Sequence, residues 1–335
     1  MRILVCTDSI KQMDGTIFHR IYQPFKDLSE IGLRIDFCAD FLSQQFSELL
    51  KYDVIVVSRT ITYNPYFHKQ ALHLWNSMPT STRLIVDVDD YWNIPDNHPN
   101  IQFWKRHNTK QCIIDTMRIA SDVWTTNKHL AKKIDKVASS VTIVPNAIRP
   151  ISINKTKSYT IRIGIVVNNT HEMNLDLLKS GLETLDINKY ELLLIGADSS
   201  RRSIVNSHLG LEQTKLRYKH IGWKKPTEYQ TSFEDVDIML CPLAKIPFNK
   251  FRSRIKLEEA VSYQFKVVAI DFTPYSGESQ SGIKVVPSFN NLDEILLDLE
   301  KQALPESVDT WQNVQQLRMD KLNSLVYGYN SFDRE

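Results

Sequence analysis

Short runs of consecutive apolar residues alternate along most of this chain with longer stretches in which apolar positions recur every three or four residues. The first pattern reads as strands buried on both faces, the second as amphipathic helices packed against them. Strands are predicted at Arg2–Cys6, Leu33–Phe37, Val54–Val57, Leu84–Val88, Val123–Thr125 and Val141–Val144, and helices at Thr16–Glu30, Ser43–Leu50, Pro65–Trp75, Thr109–Ala120 and Lys128–Lys136. From Pro145 to Tyr159 the periodicity fades and Pro, Asn, Lys and Ser accumulate, which marks a linker. A second alternation follows, with predicted strands at Ile161–Val167, Tyr190–Ile195 and Arg217–Ile221, a helix ending near Leu185 and a short one over Pro226–Phe233. Two more helical patterns, Leu292–Ala303 and Asp309–Tyr329, close the chain. Such alternation predicts an α/β protein with a doubly wound parallel sheet in each half.

The most informative stretch is Val236–Tyr275. An apolar run from Val236 to Leu240 reads as a strand, a second at Val267–Ile270 as another, and between them Ile255, Leu257, Ala260, Val261 and Tyr263 recur at helical spacing. Lys250, Arg252, Arg254 and Lys256 crowd the start of that helix, with Ser253 as its expected cap. Strand, loop and helix N-terminus form the unit on which α/β proteins hold phosphates, because free amides and the helix dipole favour an anion there. Glu259 is then placed to accept hydrogen bonds from sugar hydroxyls. The same charges also fit the solvated face of a surface helix.

Three strand ends of the first half carry polar residues expected to share one rim. These are Asp14-Gly15 and then Arg20, Arg59, and Asp87-Val88-Asp89-Asp90-Tyr91-Trp92 with His98 beyond. At 335 residues the chain is long enough for two domains, and an apolar share of 42% suffices for two cores. A formal charge of +2 is too mild to require nucleic acid as a partner, although local basic clusters remain available. The four cysteines are scattered without a C-x-x-C pair, which suits reduced core residues and a cytoplasmic setting. No run has the length of a membrane span, and the first strand follows the N-terminus with no secretory pattern before it. Only 10 glycines argue against a glycine-rich phosphate loop, and Walker A, G-x-S-x-G and H-E-x-x-H patterns are missing.

The run Asn249, Arg252, Ser253, Lys256, Glu259, then Val267-Val268-Ala269 and Pro274-Tyr275, resembles the donor segment of retaining GT-B glycosyltransferases of the glycogen-synthase-like kind, glycosyltransferase family 4. In many members it reads N-x-x-K-S-x-x-K-x-x-E-Y. Arg252 replaces a lysine, Gln264-Phe265-Lys266 replaces a Gly-x-Pro turn, and Phe251 stands where many members carry a glutamate. Arg20-x-x-x-Pro24-x-x-x-Leu28, Tyr52 through Arg59, Val86 through Trp92, His98-Pro99 and Val144 through Ile148 are similar to the N-terminal half of such enzymes from bacteria and phages. The turn Asn168-Asn169-Thr170-His171 matches the family's Gly-Ser-x-Thr-His at its last two residues. The likeness extends from residue 1 to about 290.

The resemblance implies a GT-B fold, two Rossmann-like domains facing across a cleft: residues 1–148 for the acceptor, 160–305 for the donor, and 306–335 as a C-terminal helix that crosses back to the first domain or packs on its own. It implies transfer of a sugar from a nucleotide diphosphate sugar to a hydroxyl with retention, without a cofactor or an obligatory metal. Donor contacts fall on Asn168, Thr170, His171, Pro242, Leu243, Asn249, Arg252, Ser253, Lys256 and Glu259; acceptor contacts on Asp14, Gly15, Arg20, Arg59, Tyr91 and Trp92; a side-chain base on Asp89, Asp90 or His98. Asp87-x-Asp89-Asp90 also fits the D-x-D metal site of GT-A enzymes, or pairing with Arg20 and Arg59. The acceptor is modified DNA or a glycan or lipid-linked sugar, and Lys105, Arg106, Lys110, Lys128, Lys132 and Lys133 suit phosphates of either. Two other readings stay open: a catalytically silent GT-B nucleotide-binding module and a nucleotide-sugar epimerase on the same fold.

Overall fold

A computed structural model describes residues 1–7, 15–151, 155, 158–167, 172–197, 199–306 and 309–328. Its described residues divide into two compact units. The first draws on Met1–Ala147, Phe251–Ser253 and Asp309–Glu335, the second on Ile148–Lys250 and Arg254–Val308.

In the first unit, β1 (Arg2–Cys6), β2 (Arg34–Cys38), β3 (Val54–Ser58), β4 (Arg83–Val88), β5 (Asp122–Thr125) and β6 (Val141–Ile143) form a six-stranded sheet in the order β2-β1-β3-β4-β5-β6. Every pairing is parallel. Alternation along the strands explains the apolar runs. Leu4, Ile55, Val57, Leu84 and Val86 enter one core, while Ile3, Val5, Val54, Val56 and Ile85 enter another on the opposite face. The second of these cores is completed by Trp311, Val314 and Leu322 of the helix Trp311–Tyr327. Trp311 Nε1 donates to Asp27 Oδ2 at 3.1 Å and Gln315 Nε2 to the Pro24 carbonyl at 2.9 Å, which fixes that helix.

In the second unit, β7 (Ile161–Val166), β8 (Tyr190–Ile195), β9 (Arg217–Ile221), β10 (Ile238–Cys241), β11 (Lys266–Ile270) and β12 (Ile283–Val286) pair in the order β12-β11-β10-β7-β8-β9, again all parallel. The strand order reverses between β1 and β3 in one sheet and between β7 and β10 in the other. Doubly wound sheets bind ligands at such reversals, beyond the carboxyl ends. Among the described residues no helix is long and apolar enough to cross a membrane.

Several helices differ from the sequence expectation. The one expected over Thr16–Glu30 contains a π turn, Phe18–Tyr22, before its α-helical part Gln23–Glu30. Ser43–Leu50 breaks into a 3₁₀ turn at Phe41–Ser43, capped by Asp40 onto the Leu42 amide, and a short helix Phe46–Leu49. Pro226–Phe233 shrinks to a 3₁₀ turn at Tyr229–Ser232. Helices Ile101–Arg106 and Arg202–Leu209 and strand β12 were not anticipated.

The Gly-x-Pro turn of similar sequences has a direct counterpart in geometry. After the helix Ile255–Ser262, Gln264 takes the left-handed conformation (φ 55°), its N–H bonding Val261 O at 3.3 Å and the Phe265 N–H bonding Ala260 O at 3.0 Å. This is the reciprocal pair of a Schellman C-cap, in which glycine avoids a Cβ clash. Gln264→Gly is therefore expected to stabilise the protein by ~0.5–1 kcal/mol in urea unfolding; a loss of stability would show that the Gln264 side chain makes the larger contribution.

Candidate active site

β10 ends at the buried Cys241, and the chain leaves the sheet through half-buried Pro242 and buried Leu243. Two buried asparagines then clamp Ala244. Its N–H donates to Asn174 Oδ1 and its carbonyl accepts from Asn249 Nδ2, both at 2.8 Å. Asn249, expected to touch the donor, thus commits its amide nitrogen to shaping the loop. A 3₁₀ turn at Pro247–Phe251 delivers the chain to the helix Ile255–Ser262, whose N-cap is Arg254 with no side-chain cap bond. Ser253 is not the expected cap, because the helix begins one residue too late for it.

The basic residues at this helix start have separate fates. Arg254 is held by Glu258 at 3.3 Å and by Glu278 at 2.7 Å, so it does not present a bare charge to an anion. Lys256 turns inward, where Nζ donates to Glu259 Oε2 at 2.7 Å and to Tyr229 Oη at 3.1 Å, and lies 5.5 Å from the centre of the Tyr229 ring. Glu259 is 2% exposed. Burial alone would lower the Lys256 ammonium, but Glu259 and Tyr229 outweigh it and hold the pKa above the ordinary lysine value. Burial raises the Glu259 carboxyl even though Lys256 opposes the shift. Burial also pushes the Cys241 thiol and the Tyr229 phenol up to about 12, leaving both neutral at physiological pH. The charged contact of this cluster is the ion pair of Lys256 with Glu259 at 2.7 Å. A half-buried ammonium in the first turn of a helix can stabilise developing charge on a phosphate oxygen, and a buried carboxylate can accept from hydroxyls.

In the first unit, Arg59 follows β3 with φ 60°, a left-handed backbone uncommon for a residue with a Cβ. Its Nε and Nη2 bond Asp89 Oδ1 at 3.0 and 2.8 Å, and Asp90 lies 3.6 Å away. Burial would raise the Asp89 carboxyl, but Arg59 outweighs it and holds the group below the usual carboxylate value. An ionised, paired carboxylate is a weak base, so Asp89 is poorly set up for that role. His98 is half-buried, and burial followed by the Arg252 charge lowers its pKa. Its Nδ1 accepts the Asn100 N–H at 3.1 Å, which leaves the proton of the neutral ring on Nε2. His98 therefore offers a donor where a base was expected.

Two expected acceptor residues belong to the core instead. Arg20, carried on the π turn, is 3% exposed; Nε and Nη2 meet the two Asp87 oxygens at 3.1 and 2.5 Å, and Nη1 donates to Val144 O and Asn146 Oδ1. Trp92 is 6% exposed, its carbonyl accepting from Trp104 Nε1 at 3.0 Å. Asp87 faces Arg20 and Asp89 faces Arg59, the pairing expected as the alternative to a D-x-D metal site, and among the described residues no cluster of three acidic, Cys or His side chains is arranged to hold a metal. Gly15 is exposed with open space where a Cβ would stand. Asp14, Asn168, Thr170 and His171 lie outside the described residues.

Tyr91 is half-buried, its ring 4.3 Å from that of Phe251, with Lys133 Nζ about equally near both rings at 6.0 and 5.8 Å. Asn127 Nδ2 donates to the carbonyl of Phe251 at 3.0 Å and approaches that of Arg252 at 3.4 Å, while its Oδ1 caps the helix Lys128–Ile134. An apolar stack accounts for a phenylalanine where similar sequences carry a glutamate. Asn127, Asn174 and Tyr229 escaped the sequence reading. Asn127 carried a helix-cap signal, whereas nothing near Tyr229 linked it to a lysine 27 positions away.

The sequence matches no protein-family model and no curated protein. Solved structures do share its fold. An alpha-glucosyltransferase in complex with UDP-glucose and DNA containing an abasic site superposes with a TM-score of 0.57 at 13% identity, over 98% of this chain and 95% of its own. A glycosyltransferase from Rickettsia africae ESF-5 gives 0.57 at 12% identity, over 98% and 99%. The lipopolysaccharide outer core galactosyltransferase WaaB gives 0.54 at 13% identity, over 98% and 99%. The architecture is thus the two-domain, Rossmann-like GT-B fold.

Removing Lys256 alone strands a buried carboxylate. Lys256→Met should cost ~3 kcal/mol in urea unfolding, and adding Glu259→Gln should recover most of it; no recovery would mean the pair is not coupled. The Arg59–Asp89 pair gives a pH signature. Asp89 is depressed below its ordinary 3.8, so pairing contributes above that pH and is lost as pH falls through the folded value. In Arg59→Ala the unpaired carboxyl is raised by burial, and ionising it costs stability. The variant's deficit should be largest near neutral pH and narrow on acidification towards the carboxylate range. A deficit constant with pH would mean Asp89 does not sense Arg59.

Proposed function

We propose that this chain is a glycosyltransferase that moves a sugar from a nucleotide diphosphate sugar to an acceptor hydroxyl, with retention of anomeric configuration as in family 4. The observation that carries the reading is the pair of half-buried Lys256 with buried Glu259 beyond the carboxyl end of β10, beside the strand reversal at which doubly wound sheets bind ligands. The GT-B fold supports it, and the three structures described above are all glycosyltransferases by name. In this reading Lys256, with Arg252 and Ser253 leading into its helix, neutralises the departing diphosphate, while Glu259 fixes the ribose hydroxyls and hence the register of the donor. Pro242 and Leu243 border the base. No cofactor or metal is required in this scheme.

Arg59, Asp90, Tyr91 and His98 form the acceptor side. One structural neighbour was solved with DNA and another is named for the lipopolysaccharide outer core, so modified DNA and lipid-linked glycans are both acceptor classes to test. A cytoplasmic setting, in a bacterium or a phage-infected cell, suits four cysteines that stand as thiols, Cys38 Sγ and Cys6 Sγ 3.4 Å apart. Phe251 in place of a glutamate favours the second reading, a GT-B module that binds nucleotide without turnover; release of free nucleotide diphosphate from a nucleotide-sugar panel separates the two.

A thermal-shift panel of UDP, GDP, ADP and CMP with their sugars should single out one nucleotide. Ligand at a hundredfold its Kd adds about 2.7 kcal/mol of stability. Glu259→Ala should lose that shift, measured against its own unliganded melt; a shift retained in full removes Glu259 from the donor site.

A further inference from the structure

The 3₁₀ turn Pro65–Phe67 lies in the connection after β3 and the helix Ile101–Arg106 in the connection after β4, so both belong to the carboxyl edge of the first sheet. They meet in a row of rings. The Tyr66 and His107 centroids are 5.2 Å apart and those of Phe103 and His107 4.4 Å. The row is open to solvent: Tyr66 is 77% exposed, Phe103 54%, and neighbouring Phe67 50%. Exposed Lys69, Lys105, Arg106 and Lys110 flank it; the acids nearby are paired, Asp96 with Lys105 at 2.8 Å and Asp115, near His68, with Arg118 at 3.2 Å. Trp104 Nε1 is bonded to the Trp92 carbonyl, which pins the helix with Phe103 outward.

We propose that this face docks on a bilayer surface containing anionic lipids. Contiguous aromatic side chains at this exposure mark an interaction surface, and rings surrounded by lysine and arginine match the boundary between acyl chains and phosphate headgroups. Each cation near such a surface adds to the attraction. Duplex DNA would satisfy the cations but leave Phe67 and Phe103 in water, since its bases are stacked away from them; a bilayer engages both kinds of side chain. The face adjoins the connections that carry Arg59, Asp89 and Asp90, so docking would present a lipid-linked acceptor to that edge. Only this last step rests on the transferase reading, because membrane binding needs no nucleotide sugar.

Co-sedimentation of the full chain with phosphatidylcholine vesicles, with and without phosphatidylglycerol, tests the proposal at physiological ionic strength. The expected result is partitioning at least about tenfold stronger onto the anionic vesicles. The double variant Phe67→Ser with Phe103→Ser should weaken it about tenfold without changing the melt of the protein, and Lys69→Glu with Arg106→Glu should abolish the preference for anionic lipid. Equal or absent partitioning of the wild type, or aromatic variants that bind like it, overturns the proposal. So does tight duplex binding that ignores Phe67 and Phe103 in a protein that leaves vesicles alone.

Discussion

A sheet whose strands all run one way, buried on both faces, can release its polar chemistry at its strand ends alone. That constraint governs both units. Along β1, β3 and β4 successive side chains enter opposite cores, and polar groups gather where the strands stop, at Ser58-Arg59 and at Asp87 through Asp90. In the second sheet the same logic leads from β10 through Cys241 to the loop clamped by Asn174 and Asn249 and on to Lys256. In each sheet the groups lie at or beside the place where strand order reverses, where the flanking connections depart to opposite faces and leave room for a ligand.

Depth then separates structural charges from available ones. Arg20 and Asp87 are both nearly inaccessible and tied to each other, to Val144 and to Asn146, a closed arrangement that a ligand could enter only by stranding a buried charge. Arg318, on the C-terminal helix, adds a second buried guanidinium; burial and then the neighbouring Arg20 lower its pKa to about 9 despite Asp87. The Arg59–Asp89 pair keeps a partly exposed guanidinium, and Lys256 retains 19% of its side-chain surface beside a fully enclosed Glu259. Those two cations are partly open to solvent, so each can take a ligand oxygen while keeping its buried carboxylate partner.

Strand positions were legible because period-two burial writes itself into runs such as Ile55-Val56-Val57, and eleven of the strands among the described residues have the ends expected to within a residue or two. Short elements were not. β12 is four residues with a lysine inside, and the helix Ile101–Arg106 buries too little to show a periodic face. At the candidate site the residue types were readable, but their commitments were not. Arg20, Arg59 and Arg254 look alike in sequence, and only tertiary neighbours decide that Arg20 is locked in the core while Arg254 is neutralised by Glu258 and Glu278. Sequence spacing likewise cannot state which nitrogen of His98 carries a proton, since that follows from the Asn100 amide.

The same commitments bear on where the acceptor's proton goes under the transferase reading. Asp87 is enclosed with Arg20, Asp89 is held ionised by Arg59, Asp90 lies under the same guanidinium, and His98 offers an N–H. None of these is arranged as a strong base. The position where similar sequences carry a glutamate is occupied by Phe251, stacked on Tyr91. A retaining transfer in which the departing phosphate oxygen itself takes the proton asks for no such base. It asks instead for cations that stabilise the phosphate as its bond to the sugar breaks, and half-buried Lys256 meets that demand.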